Sequence, residues 1–399
     1  MPIVKIAKIF LEAIAPFETF FSKPQTQNFH RLIFGLILCL ESRNISDINE
    51  KTLRGKDQSS LNRFLTESPW KQADLHACRR NVLQDRINSL KPSQLYVIID
   101  DTLSRKYGKK MEGVGWHYSD TDRQVTLGHN LISSTVIAVC DKKICYQIPL
   151  DSALYQKKKD CEKPNGFQSK IALATQFLEK FEVPVSTRSI LLMDTWYASA
   201  QLLSIAVKHG FDYIVPIKSN RVVFLNRGKT SLTRLAKQEA GWLKVKVKKE
   251  TFWVKTFEVF IKGLGMVKLV ISKKKRYGKS FKAFITNLDW SASKILKAYS
   301  YRWVIETFYE DAKIHLGLDQ YQIRKARAIE KYWEIVFTAY QFLEEANLQL
   351  HWKKRLRTTG QKCLWVRKLF TQSLLDWIFE QRHILTQSQW NKLQAQLCL

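Results

Sequence analysis

Residues 95–101 carry the sequence LYVIIDD, in which five aliphatic or aromatic residues precede two acids. A short apolar run of this kind, following Lys91-Pro92, is typical of a strand buried on both faces. Asp100 and Asp101 then lie where the strand leaves the core, the end at which open α/β sheets place their ligand sites. One acid at such a position is more often a turn residue or a helix cap. A functional interpretation therefore needs a second such strand.

Asp194 provides the second strand end, because it follows the apolar run at 189–193. Strand-like and helical segments alternate around these two runs. Further strands are predicted at 125–140, 144–150 and 213–217, and helices at 168–181 and 198–209. The order βββαβαβ predicts an α/β fold with a ribonuclease-H-like core.

The rest of the chain divides into regions by its hydrophobic period. Residues 1–90 have apolar residues three and four apart, which predicts helices, with Ser59 or Ser60 capping the segment Leu61–Leu65. Alternating segments at 220–288 predict antiparallel strands, and the helical period returns at Ser293. We therefore predict a helical DNA-binding region at 1–90, a catalytic core at 91–219 and 289–325, a β insertion at 220–288, and a helical C-terminal region at 326–399 for DNA-end contact or dimerisation.

The chain is strongly basic. Lys and Arg number 65 against 36 Asp and Glu, which gives a net charge of +29. A compact state with this charge repels itself unless a polyanion neutralises it, and nucleic acid is the leading candidate. The basic residues form several clusters, as expected for a long contact with a duplex. These clusters are Arg105–Lys110, Lys157–Lys159, Lys244–Lys249, Lys273–Arg276 and Lys353–Arg357.

Cysteine spacing and hydropathy give expectations about the compartment. The seven cysteines include no CxxC pair, so we predict neither a disulfide framework nor a structural zinc site, and a reducing environment. The longest apolar run, at 32–40, has nine residues, whereas a membrane span needs roughly 20. We therefore expect a cytoplasmic protein that associates with the nucleoid and not with a membrane.

A third acid, Glu306, lies on a predicted helix from 299 to 313. With an advance of about 100° per residue, four polar residues of this segment fall within roughly 60° on one side. They are Tyr299, Arg302, Glu306 and Lys313. Alone, the pattern also describes a solvated face with an ordinary Arg302–Glu306 pair. Combined with the two acids at strand ends, it predicts a cluster of three carboxylates.

Such a cluster predicts bound metal, because three neighbouring carboxylates repel each other strongly unless cations intervene. All-oxygen ligands that leave room for water and phosphate suit Mg²⁺ or Mn²⁺. Two such ions, about 3.5 to 4 Å apart, stabilise the attacking and leaving oxygens of in-line phosphoryl transfer. We expect two Mg²⁺ ions, with Mn²⁺ as a substitute, Arg302 and Lys313 as phosphate contacts, and Tyr299 as a further DNA contact.

The spacing Y-x2-R-x3-E-x6-K formed by these four helix residues resembles the signature of DDE transposases of the insertion-sequence-four superfamily. The stretches 98–102 (IIDDT) and 193–197 (MDTWY) resemble the first and second acid motifs of that family. The resemblance implies a ribonuclease-H-like core, with the β insertion between the second Asp and the Glu. It also implies that Asp101, Asp194 and Glu306 bind the metal and are catalytic. Asp100 competes with Asp101 for the first position.

The resemblance further implies an activity and partners. Such enzymes bind the terminal inverted repeats of a mobile element as a dimer, cleave the DNA, and join the 3′-hydroxyl ends to target DNA, several of them through a hairpin. They flip a base near the cleavage site and stack it on a tryptophan of the β insertion. Trp253 and Trp242 are the candidates here, with burial in the β region as the alternative.

Other interpretations of the same residues remain open. His117 and His129 are candidate general bases, although a two-metal site activates its own water. With Cys140 and Cys145 they are also candidate zinc ligands, although the spacing is irregular. At the level of the whole chain, the alternatives are a nuclease or junction resolvase on the same core, and a DNA-binding protein descended from a transposase that no longer cuts.

Overall fold

The computed structural model describes residues 6–51, 57–119, 122–161, 166–225, 228–381 and 386–391. These residues form a mixed α/β fold in which helices flank one large mixed sheet. None of the helices within these ranges is long and apolar enough to cross a membrane.

The N-terminal flank is helical, as its apolar spacing predicted. Its helices are α1 (Lys8–Ile14), α2 (Lys23–Leu38), α3 (Ile45–Glu50), α4 (Gln58–Thr66) and α5 (Gln72–Leu90). The predicted cap of α4 is wrong, because the carboxylate of Asp57 accepts the hydrogen bond from the backbone N–H of Ser60, at 2.9 Å. Since α4 begins at Gln58, Ser59 and Ser60 both lie inside its first turn, beyond the capping position.

The central strands and their helices follow in chain order. They are β1 (Gln94–Arg105), β2 (Gly115–Ser119), β3 (Gln124–Cys140), β4 (Lys143–Tyr155), α6 (Lys170–Lys180), β5 (Arg188–Met193), α7 (Ala200–Lys208) and β6 (Asp212–Ile217). β3 pairs antiparallel with β1 and β4, whereas β5 is parallel to both β1 and β6. The edge strand β2 was not predicted. Its sequence, GWHYS, has no apolar run, and it buries His117 while exposing Trp116 and Tyr118.

The insertion continues this sheet. It contributes β7 (Val222–Leu225), β8 (Gly228–Ser231), α8 (Leu232–Lys237), β9 (Leu243–Val247), β10 (Glu250–Ile261), β11 (Gly265–Lys273) and β12 (Lys282–Thr286). Because β12 pairs with β6, the strand order is β2-β3-β1-β5-β6-β12-β11-β10-β7-β8, with β4 on β3 and β9 on β10. The predicted absence of helical period at 220–288 is wrong at α8. A helix of only six residues is too short to show a helical period in the sequence.

The C-terminal flank contains α9 (Ala292–Tyr299), α10 (Trp303–Leu316), α11 (Ala326–Leu348) and α12 (Thr359–Gln381). The single helix predicted at 299–313 is wrong, because a 3-10 turn, Ser300–Arg302, separates α9 from α10. α11 is buried on nearly all sides. It packs through Phe342 against Phe10 of α1 and through Tyr340 against Gln147 of β4.

Alternate residues of β1 face two different hydrophobic cores. Tyr96 and Ile98 belong to the core that contains Ile305 and Phe308 of α10. Leu95, Val97 and Ile99 belong to the core formed with Leu173 of α6 and Leu202 of α7. Successive side chains of a strand point to opposite faces, so the two acids after Ile99 are directed to different sides of the sheet.

The hairpin between β3 and β4 contains a disulfide. Cys140 and Cys145 are joined across the turn, with their Cα atoms 5.7 Å apart. The prediction that cysteine spacing indicates no disulfide is therefore wrong for this pair, because antiparallel pairing brings the two residues together. Cys39, Cys78, Cys161 and Cys363 are free, and Cys398 lies outside the described residues.

Asp151 of β4 joins the sheet to α5 through a buried ionic cluster. Its carboxylate accepts hydrogen bonds from Arg80 at 2.6 Å and from Ser134 at 2.5 Å, and lies 3.2 Å from His76. Burial raises the pKa of Asp151, but these partners outweigh burial and lower it to about 2. The ionised form of the Asp151 carboxylate is therefore more stable in the folded chain than in the unfolded chain.

We expect Asp151 to add acid sensitivity to the fold. A folded pKa below the unfolded value gives stability that is fully present above about pH 4 and is lost as the pH falls towards 2, amounting to roughly 2 kcal/mol. Urea unfolding monitored by circular dichroism between pH 2 and 7 measures this slope. Asp151→Asn should flatten it and lower stability at pH 7. Asp141→Asn, at the exposed turn after β3, is the control. An unchanged slope in Asp151→Asn would contradict the assignment.

Candidate active site

The first two acids emerge side by side from neighbouring parallel strands. Ile99 of β1 is paired in register with Met193 of β5, so Asp100 and Asp194 are the next residues on each strand. Neighbouring strands lie about 4.8 Å apart. The backbone of Asp194 remains extended, with φ −79° and ψ 166°, and its side chain is exposed. Asp194 therefore continues the alternation of β5 before the chain turns.

Asp100 lies on the face of the sheet that α10 covers. Its Oδ2 accepts a hydrogen bond from Nη1 of Arg302 at 2.8 Å, and its Oδ1 accepts one from the backbone N–H of Asp101 at 2.9 Å. The hydroxyl of Tyr309 donates to the carbonyl oxygen of Asp100 at 2.9 Å. Three hydrogen bonds thus hold Asp100, in the middle of β1, against Arg302, Tyr309 and the next backbone N–H.

Arg302 connects Asp100 to the third acid. While Nη1 holds Asp100, Nη2 donates to Oε1 of Glu306. Burial raises the pKa of Asp100 to about 7 against the lowering effect of Arg302, and the charge of Asp194 contributes to the increase. The Arg302 guanidinium therefore reduces the repulsion between the carboxylates of Asp100 and Glu306 in a partly desolvated site. The carboxylate of Asp194 is close enough to raise the pKa of Asp100.

Asp101 is directed to the opposite face and is engaged there. Its Oδ2 accepts hydrogen bonds from Asn130 at 2.9 Å and from the ammonium of Lys170 at 2.7 Å, and its Oδ1 accepts one from Tyr197 at 2.8 Å. Burial, together with the charge of Asp101, raises the pKa of Tyr197 far above its ordinary value. Asp101 thus ties β1 to the start of α6 and to the turn after Asp194.

The two other signature residues hold the α9–α10 segment against the strand ends. Tyr299 packs against Phe284, with ring centroids 4.8 Å apart, and its hydroxyl donates to the carbonyl of Met193 at 3.4 Å. The ammonium of Lys313 donates to the hydroxyl of Thr102 and to the carbonyl of Leu103, both at 3.0 Å. Burial lowers the pKa of Lys313. Tyr299 therefore contacts β5, and Lys313 contacts β1.

The carboxylates of Asp100, Asp194 and Glu306 fit a hard cation by donor chemistry, since they offer only oxygen ligands at a half-exposed edge. Within the part of the chain that the structure describes, no three His, Cys, Asp or Glu side chains are arranged to hold a metal ion. The position between Asp100 and Glu306 is taken by the Arg302 guanidinium. Metal binding there requires Arg302 to release at least one carboxylate.

His117 and His129 are both buried in the fold. Burial lowers the pKa of each to about 4. His129 is hydrogen-bonded to the Tyr321 hydroxyl at 2.9 Å and to the Glu112 carbonyl at 3.0 Å. The zinc interpretation is wrong within the described residues, because Cys140 is disulfide-bonded and lies eleven residues along β3 from His129, roughly 35 Å away.

Trp242 and Trp253 are half-buried in the insertion, and cations lie over their rings. The guanidinium of Arg276 is 5.2 Å from the ring centroid of Trp253. The ammonium groups of Lys255 and Lys273 are 4.8 Å and 4.7 Å from the centroid of Trp242. Each indole therefore takes part in a cation–π contact rather than in an all-apolar core.

Four residues of the site were missed by the sequence analysis: Asn130, Lys170, Tyr197 and Tyr309. Tyr197 belongs to the quoted stretch 193–197, so its proximity to Asp194 was a usable signal. Asn130, Lys170 and Tyr309 gave no such signal, since strand register and helix packing bring them to β1. Trp196, from the same quoted stretch, is a fifth residue that was missed. It is 56% exposed next to Asp194, with the ammonium of Lys170 5.1 Å from its ring centroid.

Comparison with known proteins shows that the chain matches the model of a known family. The family model described as DDE superfamily endonuclease matches residues 16–239, more than half of the chain, and this span includes Asp100, Asp101 and Asp194. A solved structure with similarity is that of endonuclease V from Bacillus subtilis. It has 15% identity, covers 61% of this chain and 95% of that chain, and gives a TM-score of 0.26. No curated protein matches significantly.

Proposed function

Because the chain belongs to the DDE superfamily endonuclease family, we propose that it is a transposase of the insertion-sequence-four type. It cleaves DNA at the ends of its mobile element and joins the 3′-hydroxyl ends to target DNA. The observation that carries this proposal is the Arg302 bridge between Asp100 and Glu306, beside Asp194 at the end of the adjacent parallel strand. The family match and these three acids together support metal-dependent DNA cleavage as the chemistry.

The architecture of the core supports the same proposal. Antiparallel strands β1, β3 and β4 are followed by β5 and β6, each reached through a helix and each parallel to its neighbour. A ribonuclease-H-like core combines the order βββαβαβ, which the sequence predicts, with strand pairing of this kind. The insertion of β7–β12 falls between Asp194 and Glu306 in the chain.

We assign the first catalytic carboxylate to Asp100 rather than Asp101. Asp100 shares a face with α10 and is bridged to Glu306, whereas Asp101 is engaged by Lys170, Asn130 and Tyr197 on the other face. Asp101 then acts as a positioning residue, holding β1 against the turn that carries Asp194. The resemblance alone favoured Asp101, and adjacency in the sequence could not separate it from Asp100.

Asp100, Asp194 and Glu306 would hold the divalent metal, with Mg²⁺ as the natural ion and Mn²⁺ as a substitute. When bound, two such ions supply charge stabilisation for the attacking and leaving oxygens of phosphoryl transfer. Tyr299 and Lys313 hold the Glu306 segment across β5 and β1. Arg302 orients the carboxylates and, once released from one of them, contacts a DNA phosphate. Lys313 is committed to β1, so Arg302 is the better phosphate ligand of the two.

The partners are double-stranded DNA at the terminal inverted repeats and at the target, supported by the net charge of +29. A homodimer pairs the two element ends. The buried α11 offers little surface for that contact, whereas α12 exposes Leu364 at 50% and Leu375 at 57%. We therefore place the dimer contact of the C-terminal region on α12.

A labelled duplex with one element end tests the function directly. The inverted repeats that flank the gene supply its sequence. Purified protein with Mg²⁺ is expected to nick this end and then to join it to a second duplex, and chelation should stop both steps. Asp194→Ala should lose both products, whereas Asp141→Asn, an exposed acid on the β3–β4 turn, should keep them. Absence of nicking at the correct end, or full activity of Asp194→Ala, would reject the proposal.

The same assay separates the second candidate, a nuclease, which the endonuclease description of the family favours. A nuclease nicks without producing the joined product. A chain that binds the duplex but leaves it intact with Mg²⁺ and with Mn²⁺ would instead be a DNA-binding descendant. The joined product therefore decides between transposase and both alternatives.

A further inference from the structure

The β insertion carries a basic cleft of about 550 Å³ between the end of α8 and the start of the loop after β11. Its lining includes four basic residues and one acid. These are Lys237, Lys273, Arg276, Lys279 and Glu239. The indole of Trp242 also lines the cleft, and its N–H donates to the carbonyl of Gln238 at 2.9 Å. The cleft thus combines an excess of positive charge with a fixed aromatic surface.

Two lysines beside Trp242 are buried with little compensation. Lys255 is 4% exposed and Lys273 is 8% exposed. The ammonium of Lys255 donates to the Gln238 carbonyl at 2.6 Å. Neither ammonium has a carboxylate within ion-pairing distance among the described residues. Burial lowers the pKa of both groups, and the charge of Lys273 lowers that of Lys255 further. Buried charge without a counter-ion is costly, so an anionic ligand that reaches these two ammonium groups would be bound favourably.

The strands next to the cleft extend its positive surface. Trp253 of β10 is paired with Lys244 on one side and with Lys273 on the other, so these residues form a row across three strands. Lys244 and Lys246 of β9 are exposed, as is Arg276 beyond β11. A row of this kind matches an extended polyanion better than a single small anion.

We propose that this cleft binds a backbone phosphate of DNA, with the Lys273 ammonium as its central ligand and Arg276 and Lys279 at the rim. Lys255 supports Lys273 from below as a positioning residue. Trp242 then stabilises two cations through its ring faces, so it supports a phosphate site instead of stacking on a base. The proposal rests on the proposed function in one respect, namely that the phosphate belongs to DNA.

DNA affinity as a function of salt tests the site. Fluorescence anisotropy with the full-length protein and a labelled duplex in EDTA measures binding without cleavage. Lys273→Met should weaken binding by about tenfold and reduce the slope of log K against log salt by about 1, the loss of one phosphate contact. Arg276→Gln changes an exposed residue of the same cleft, so it gives the same direction of change without disturbing the core. Lys262→Met, at the opposite end of the β10–β11 hairpin and exposed, removes the same charge and should leave both quantities unchanged.

Inorganic phosphate distinguishes the sources of the anion. If both cleft variants keep the wild-type affinity and slope while phosphate raises the Tm of the wild type and not of Lys273→Met, the cleft binds a free phosphate compound, and DNA is excluded as its ligand. If the wild type binds and the cleft variants match it with no phosphate effect, the inference is overturned and the proposed function stands. If the wild type binds no DNA at all, the proposed function itself fails.

Discussion

Asp100→Asn is expected to lower the single-turnover rate of DNA nicking by at least about 10³-fold, the scale of losing a group at the reacting centre. Asparagine keeps the shape of aspartate but removes the charge that a hard cation requires. In the structure, Asp100 shares Arg302 with Glu306 and lies beside Asp194. A neutral side chain at this position leaves two carboxylates, too few for the expected metal site.

Asp101→Asn is the matched comparison, since it removes the same charge from the next residue. We expect a loss of roughly 10- to 100-fold, as for partners that orient a metal site without binding the ion. Mn²⁺ binding followed by electron paramagnetic resonance separates the two roles: Asp100→Asn should lose it and Asp101→Asn should keep it. Circular dichroism checks that both variants are folded. An inactive Asp101→Asn with normal activity in Asp100→Asn would reverse the assignment.

The choice between these acids depends on tertiary packing that the sequence does not show. The run LYVIIDD predicted a buried strand with acids at its end. Residues 95–99 are buried in β1 as predicted, but the strand continues to Arg105, so the prediction that the acids end it is wrong. Alternation also implies that Asp100 and Asp101 point to opposite faces. It cannot say which face α10 covers, because that depends on packing between residues about 200 positions apart, such as the contact of Tyr309 with Asp100.

The helix that carries Glu306 shows a similar division. Helical spacing placed Arg302 next to Glu306, and the two residues are in contact. The break at Ser300–Arg302 was not foreseen, because these residues have no Gly or Pro and keep helical dihedrals. Lys313 was predicted to contact phosphate, yet its ammonium is held by β1. The direction of a long side chain follows from its tertiary surroundings and not from its position on a helical wheel.

In the insertion, alternation predicted the strands that became β9 to β12; it is strict in β9, LKVKV, and interrupted by short apolar runs in the others. The basic run 273–276 was recognised as charge alone. Nothing in the sequence of this run distinguishes the buried Lys273 from the exposed Lys274. The difference arises because β11 ends at Lys273. Lys255 is isolated in sequence and reaches Lys273 only through strand pairing. Sites formed by the packing of separate strands therefore cannot be predicted from a single sequence.

Arg79→Met is expected to lower the free energy of unfolding by about 3 to 5 kcal/mol. Arg79 of α5 is fully buried, donates to Glu334 of α11 at 2.5 Å, and also donates to the carbonyl oxygens of Pro149 and Leu150 in β4. Methionine fills much of the same volume but leaves the Glu334 carboxylate, 1% exposed, without its counter-charge. Urea unfolding at pH 7, followed by tryptophan fluorescence, gives the difference.

The double variant Arg79→Met/Glu334→Leu identifies the cause. If the loss comes from an uncompensated buried charge, removing the second charge should restore most of the stability, because a hydrophobic pair often replaces a buried ion pair without cost. An additive, larger loss in the double variant would instead show that the carbonyl contacts of Arg79 dominate. The pair also bears on the site, since α11 packs through Phe337 against Phe308 of the helix that carries Glu306, with centroids 5.2 Å apart. A double variant that is stable and still nicks DNA would assign this pair to the scaffold. A stable variant with reduced nicking would show that the ionic link between α5 and α11 also sets the position of α10.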